Sequence, residues 1–85
     1  MKIRMETIDG NPIRFKLYDE ETEVKLGLVQ SVTLTVTVDG ATLQFTRIDP
    51  ETLVIDEEKR TYTGALITSP LLEGKFDGSQ YVFED

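Results

Sequence analysis

The residues that could do chemistry in this chain are carboxylates. Its 85 residues include sixteen Asp and Glu but no His and no Cys. Zinc coordination, disulfides and nucleophilic pairs such as Ser-His or Cys-His therefore lack their usual residues. A change of side-chain charge near neutral pH would also need His, which is the residue that usually titrates in that range. The chemistry that remains is calcium binding by an acidic loop or acid-base catalysis by paired carboxylates.

Two acidic runs, residues 19–23 and 56–58, are the candidates for that chemistry. Neither run has the alternating Asp or Asn ligands, central Gly and distal Glu of an EF-hand loop. Bare acidic runs are typical of solvated loops. The six glycines occur singly and open no phosphate-binding loop before a helix. We therefore expect no catalytic residues, no metal and no cofactor, and a protein that is not an enzyme.

The net charge of −7 bears on the choice of partner. Nucleic-acid backbones and anionic membranes repel an acidic protein. The charge is also uneven, because residues 1–18 carry four basic and two acidic residues, whereas residues 19–85 carry five basic and fourteen acidic ones. We therefore expect a protein partner or a homo-oligomer, with no nucleic acid and no membrane.

The sequence also bears on location and on the number of domains. No apolar run approaches the ~20 residues that a membrane-spanning helix needs. The first residues, Met-Lys-Ile-Arg, lead into no apolar core with a small-residue cleavage site, so no signal peptide is predicted. These features predict a soluble protein, cytoplasmic or within a virion. Eighty-five residues suit one small β-domain over residues 1–85, with a thin core.

The elements that must position any functional surface are organised around residues 32–48. Val, Leu and Phe alternate there with Thr and Gln, and Asp39-Gly40 interrupts the pattern. A period of two indicates β-strands, and Asp-Gly between two such runs predicts a hairpin with a type I′ turn. With Asp39 and Gly40 as the loop, Leu34 is expected opposite Phe45.

This register sorts the hairpin into an apolar face and an uncharged polar face. The polar face, called here the hydroxyl face, consists of Thr33, Thr35, Thr37, Thr42, Gln44 and Thr46. Solvent-facing sheets usually carry Lys or Glu residues that deter association, and this face has none. A plain exposed sheet is the alternative, because β propensity alone favours Thr. We predict that the hydroxyl face is a protein-contact surface.

The rest of the chain is predicted to form further short strands. Residues 1–8 and 13–18 alternate apolar and polar residues on either side of a turn at 9–12, which predicts another hairpin. Residues 53–55 are apolar without alternation, which predicts a short strand covered on both faces, with residues 61–67 as its partner. About seven to eight short strands and no helix of ordinary length predict an all-β fold, a small antiparallel β-sandwich or a partly open β-barrel.

The outward side of the first hairpin gathers basic residues. These residues, called here the basic face, are Lys2, Arg4, Arg14 and Lys16. Lys on a sheet edge often only deters strand addition, so a solvated surface is one interpretation. The other interpretation is a protein-contact patch that binds an acidic surface, such as that of another copy.

Two classes of function follow from these features. The first is a non-catalytic structural or assembly protein that docks on copies of itself or on a larger protein lattice. Small virion components such as decoration, connector or tail subunits have this general character. The alternative is an acidic inhibitor or decoy that mimics nucleic-acid phosphates and blocks a basic groove on a target protein. We favour the assembly protein because the acids cluster in loops and do not line one continuous stripe.

Overall fold

The computed structural model describes residues 1–9, 11–77 and 80–85 and is built almost entirely of antiparallel strands. The strands are β1 (Lys2–Ile8), β2 (Asn11–Asp19), β3 (Val29–Thr37), β4 (Gly40–Ile48), β5 (Val54–Asp56), β6 (Thr61–Thr63), β7 (Leu66–Thr68), β8 (Leu72–Asp77) and β9 (Gln80–Glu84). One short 3-10 turn, Pro50–Thr52, is the helical element of this described part. The predicted all-β fold is confirmed, with slightly more strands than expected.

Seven of the described strands form one sheet that curls into a half-barrel. Its order is β2-β1-β9-β8-β4-β3, and β7 pairs with β4 beyond the end of β8. β1 and β2 form the predicted first hairpin, although its turn at 9–12 includes Gly10, which lies outside the described residues. β5 and β6 pair separately. The half-barrel matches the partly open barrel that the sequence predicts, with β2 and β3 as its edge strands.

The concave side of the half-barrel holds the core. Alternate residues of the strands supply it, as the period of two requires. The most deeply buried side chains of this core cluster, each at most 3% exposed, are Ile3, Met5, Leu17, Leu43, Phe45, Leu72 and Phe83. Burying one such side chain contributes roughly 1.5–3 kcal/mol, so these positions supply much of the driving force for folding.

Residues 24–28 partly fill the gap between the two edge strands. The Leu26 amide donates to the Leu17 carbonyl of β2 at 2.8 Å, and the Leu26 side chain packs against the core. At the other end of the segment, the Leu28 carbonyl accepts from the Ile48 amide of β4 at 3.0 Å. The segment therefore ties β2 to the end of β4.

The central hairpin is present, but its predicted register is wrong by two residues. The loop is Val38-Asp39, so Thr37 pairs with Gly40. The predicted type I′ turn is also wrong, because neither loop residue has a positive φ and Gly40, at φ +152°, begins β4. The Thr37 hydroxyl stabilises the observed turn, since it accepts from the Asp39 amide and donates to the Gly40 carbonyl, both at 3.3 Å. A shift by two residues leaves every side chain on its predicted face.

The prediction that residues 53–55 are covered on both faces is wrong. β5 pairs with β6, which is the first part of the predicted partner, whereas the later part forms β7 and pairs with β4. Val54 and Ile55 are both more than half exposed. The two-stranded sheet of residues 54–63, called here the arm, makes no extensive contact with any other described strand. A short apolar run cannot show whether it is covered, because the covering residues come from elsewhere in the chain.

Candidate protein-contact site

The structure brings the six residues of the hydroxyl face together on the convex side of the half-barrel. In the observed register, Thr35 faces Thr42 and Thr33 faces Gln44. The exposed members are Thr33, Thr35, Thr37 and Gln44, and the half-buried ones are Thr42 and Thr46. The hydroxyls therefore point away from the core, which is the geometry that a contact surface requires. Their role in contact stays a prediction.

Two further hydroxyls extend this face. Ser31 pairs with Thr46 because of the two-residue shift in register. Thr68 of β7 pairs with Thr46 from the other side, with 3.3 Å between the two hydroxyl oxygens. Glu73 of β8 borders the face opposite Thr42. Alternation along β3 could have identified Ser31, whereas the long-range pairing of β7 with β4 leaves no local signal in the sequence.

Carboxylates divide the basic face. Arg4 lies between two of them, with 2.9 Å from its Nη1 to Oε2 of Glu20 and 3.6 Å from its Nε to Oε1 of Glu6. The guanidinium also lies over the Tyr18 ring, 4.8 Å from the ring centroid. Lys16 stands opposite Glu6 in the ladder of β1 and β2. The charges on this part of the convex side therefore alternate in sign.

The remaining basic residues do not restore a positive patch. Lys2 stands opposite Glu84 in the ladder of β1 and β9, and Arg14 is exposed on β2. This arrangement weakens the case that the basic face binds an acidic surface. The Arg4 ion pair also occupies Glu20, one of the acids that a phosphate-mimicking decoy would present.

The arm displays apolar side chains on both of its faces. Ile55 and Tyr62 lie directly opposite each other, and Val54 points to the other side. Their exposed fractions are 54, 56 and 61%, respectively. Leu66 and Ile67, at the foot of the arm, are exposed to a similar degree. A lone two-stranded hairpin is marginally stable in water, so the arm is an element that a partner would stabilise.

The base of the arm is fixed to the half-barrel. Gly64 lies so close to Ile48 and Thr52 that a Cβ atom on it would come within 2.7 Å of the Ile48 Cγ2. The Ala65 amide donates to the Thr52 hydroxyl at 2.8 Å. Ile48 is 2% exposed and, by the alternation of β4, points to the convex side. The arm therefore rises from the same side of the sheet as the hydroxyl face.

A second apolar patch lies at the opposite end of β4, beside the central turn. Its exposed members, called here the tip patch, are Val36, Val38 and Phe76. Val38 is fully exposed because it lies in the turn itself. The Phe76 ring contacts the Tyr81 ring, with 4.8 Å between centroids. The tip patch and the arm thus place apolar side chains at both ends of β4.

Carboxylates of the two acidic runs accept hydrogen bonds within their own loops. The Asp19 carboxylate accepts from the Glu21 amide at 2.9 Å, and the Asp56 carboxylate accepts from the Lys59 amide at 3.1 Å. Across residues 1–9, 11–77 and 80–85, no three Asp or Glu side chains are placed to hold a metal ion together. Asp19 and Asp56 therefore stabilise the turns in which they lie.

An ion pair joins the first residue to the last. The Met1 amino nitrogen lies 2.6 Å from the Asp85 carboxylate. This hydrogen bond raises the pKa of the Met1 amino group and lowers the pKa of the Asp85 carboxyl from their ordinary values. The pair holds the start of β1 against the end of β9.

Comparison with models of known protein families, with curated proteins and with solved structures finds no match to this chain. Over the part of the chain that the structure describes, no helix is long and apolar enough to cross a membrane.

Proposed function

We propose that this protein is a non-catalytic assembly protein and that the arm is its docking element. The observation that carries the proposal is the exposure of Val54, Ile55 and Tyr62 on both faces of a two-stranded sheet. Taking a side chain of this kind from full exposure to full burial contributes roughly 1.5–3 kcal/mol, and covering these three, which are a little over half exposed, contributes about half of that each. A partner that encloses the arm would therefore gain most of its affinity from these three residues.

The fixed base supports a docking role for the arm. Ala65 and Gly64 hold it against Thr52 and Ile48 before any partner arrives. A contact element that is already ordered loses less conformational entropy on binding. Aromatic anchors such as Tyr62 are enriched among the residues that dominate interface energies.

The hydroxyl face supports the same function. The contact between Thr46 and Thr68 joins this face to β7, and β7 leads directly from the foot of the arm. A partner bound to the arm would lie over an uncharged sheet, so binding would not require the desolvation of a charged side chain. The hydroxyls would supply hydrogen bonds of the kind found in interfaces.

The first partner we propose is another copy of this chain. The arm and the tip patch lie at opposite ends of β4, so the arm of one copy can cover Val36, Val38 and Phe76 of the next. Such a head-to-tail contact is heterologous and extends into a row of copies unless it closes into a ring. A protein lattice, such as that of a virion with its decoration, connector or tail subunits, is a setting in which a row of this kind would serve.

Light scattering over a range of protein concentrations tests the proposal. The double variant Ile55→Ser, Tyr62→Ser should lose the row of head-to-tail copies, because the arm loses its anchors. Val38→Ser should have the same effect from the opposite end of the molecule, and it is fully exposed, so the fold should survive. Val24→Ser is the matched control, since Val24 is a similarly exposed apolar residue in a loop.

Circular dichroism and the melting temperature should be unchanged in all three variants. Equal association of the wild type and the arm variant would contradict docking through the arm. A wild type that stays a single chain at every concentration would contradict docking on copies of itself.

A further inference from the structure

β3 is an open edge strand. It pairs with β4, and no described backbone hydrogen bond outside that ladder involves residues 29–37. Alternate residues of an edge strand point their N–H and C=O groups away from the sheet. Nine residues at about 3.4 Å each give an edge roughly 30 Å long. This row of free backbone groups is a template for another strand.

The edge also lacks the features with which proteins keep sheet edges apart. Val29–Thr37 contains no charged residue and no Pro, and its ladder with β4 has one irregularity, near its start. The opposite edge strand, β2, is both charged and partly covered. It carries exposed Arg14 and Lys16, and its end is covered where the Leu26 amide donates to the Leu17 carbonyl.

The core is incompletely covered along β3. Val32 and Leu34 point to the concave side and pack against the core, yet neither is fully buried. Val36, the next residue on the same side, is 59% exposed. An added strand would bring side chains over these three residues, so pairing would also complete the open side of the half-barrel.

We propose that β3 pairs with β3 of a second copy, antiparallel and about a two-fold axis, so that two half-barrels share one continuous sheet. With the axis at Leu34 the strand complements itself, because Ser31 and Thr33 would face Thr37 and Thr35 of the second copy and Val32 would face Val36. No like charges meet at the axis, since the strand has none. This pairing adds a second contact between copies and rests on the proposed assembly function for its biological role. It uses no residue of the arm and shares Val36 with the tip patch.

The pairing is expected to be weak and to respond to salt. An edge contact falls at the low end of the interface sizes that hold stable complexes, so we expect a dissociation constant of about 1 μM or weaker. Each copy carries a net charge of −7, so their mutual repulsion opposes association. Added salt screens that repulsion and should strengthen the dimer. A decoy that binds a basic groove would show the reverse dependence.

Sedimentation equilibrium from about 10 μM to about 1 mM tests the pairing. The Ile55→Ser, Tyr62→Ser variant, in which docking through the arm is removed, should rise in mass with concentration from about the 9.6 kDa of one chain towards twice that value. Thr33→Lys added to this arm variant should stay at one chain, because Thr33 lies next to the axis and the substituted side chains of two copies would lie close together. Thr22→Lys added to the arm variant places the same charge in an exposed loop and should leave the dimer intact.

Hydrogen exchange on the wild type gives a second readout that does not depend on the folding of a variant. The outward amides of β3 should exchange more slowly at high protein concentration, whereas those of β2 should not change. A wild type that remains a single chain at the highest concentration would overturn the pairing. Dimerisation of the arm variant that Thr33→Lys does not weaken would overturn it as well, and would leave docking through the arm standing. If the arm variant forms a dimer and the wild type never forms larger species, the pairing of β3 is supported and docking through the arm is contradicted.

Discussion

Gly64 lies in direct contact with the side chain of Ile48, and this contact fixes the arm on the convex side of the half-barrel. A Cβ atom on Gly64 would stand 2.7 Å from the Ile48 Cγ2 and 3.0 Å from the Thr52 carbonyl oxygen. The Gly64 backbone and the Ile48 side chain are thus packed together at the base of the arm. The position of the arm follows from a glycine that brings two segments close together.

Gly64→Ala should therefore loosen the base of the arm. The added methyl group cannot fit without moving Ile48 or the backbone at Thr52, and such overpacking costs about 1–3 kcal/mol in the free energy of unfolding. Urea unfolding would measure this loss, and hydrogen exchange should be faster in residues 54–63. Gly27→Ala is the control, because a Cβ at Gly27 has no neighbour within 4 Å. Equal stability of the two variants would contradict close packing at the base.

Gly74→Ala should cost more than Gly64→Ala. Gly74 lies opposite Phe83 in the ladder of β8 and β9, and a Cβ atom on it would overlap the Val82 carbonyl. It would also come within 2.7 Å of Cδ1 of the Phe83 ring, which is wholly buried. A backbone carbonyl cannot rotate out of the way as a side chain can, so we expect a loss of at least about 2 kcal/mol. Urea unfolding of both variants compares the two losses, and a smaller loss in Gly74→Ala would contradict this ordering.

Arg4→Ala should destabilise the fold by about 1–2 kcal/mol, because it removes charge-assisted hydrogen bonding to Glu20 and the packing of the guanidinium on Tyr18. Arg4→Met should lose less, since it keeps most of the aliphatic stem. Arg14→Ala is the matched control and should change stability by no more than about 0.5 kcal/mol, because Arg14 is exposed. Thermal unfolding of the three variants checks this order. A loss as large in Arg14→Ala as in Arg4→Ala would show that the Arg4 contacts contribute nothing.

The ion pair between Met1 and Asp85 predicts a pH window. The pKa of the Met1 amino group is raised by its hydrogen bond to Asp85, so its stabilising contribution is complete below its ordinary pKa and is lost as pH rises through the raised one. The pKa of the Asp85 carboxyl is lowered by the same bond, so its contribution is present above its ordinary pKa and is lost as pH falls through the lowered one. Asp85→Asn should therefore melt below the wild type near neutral pH.

The difference in melting temperature should disappear in both strongly acid and strongly alkaline buffer, because one partner of the ion pair is neutral there. Glu58→Gln removes the same charge from an exposed turn and is the control for the loss of one carboxylate. A melting difference for Asp85→Asn that is constant across pH would contradict the ion pair.

Much of the candidate site could be predicted from alternation alone. Thr33, Thr35 and Thr37 lie on the convex side because successive side chains of a strand point to opposite faces, and this holds whichever register the hairpin adopts. The exposure of the arm could not be predicted, because it does not depend on neighbouring residues in the chain. Val54 and Ile55 look like core residues by composition, and their exposure depends on which distant residues come near them.

By itself, the sequence determined the strands, the two faces of the central hairpin and the all-β class, because each depends on side chains that are neighbours in the chain. The tertiary structure decided the register of β3 on β4, the pairing of Thr68 with Thr46 and the exposure of the arm. A shift by two residues conserves both faces of a hairpin, so alternation cannot distinguish the two registers. In the folded chain, the hydrogen bonds of Thr37 go with the observed register of the hairpin. The contact of Gly64 with Ile48 goes with the observed position of the arm.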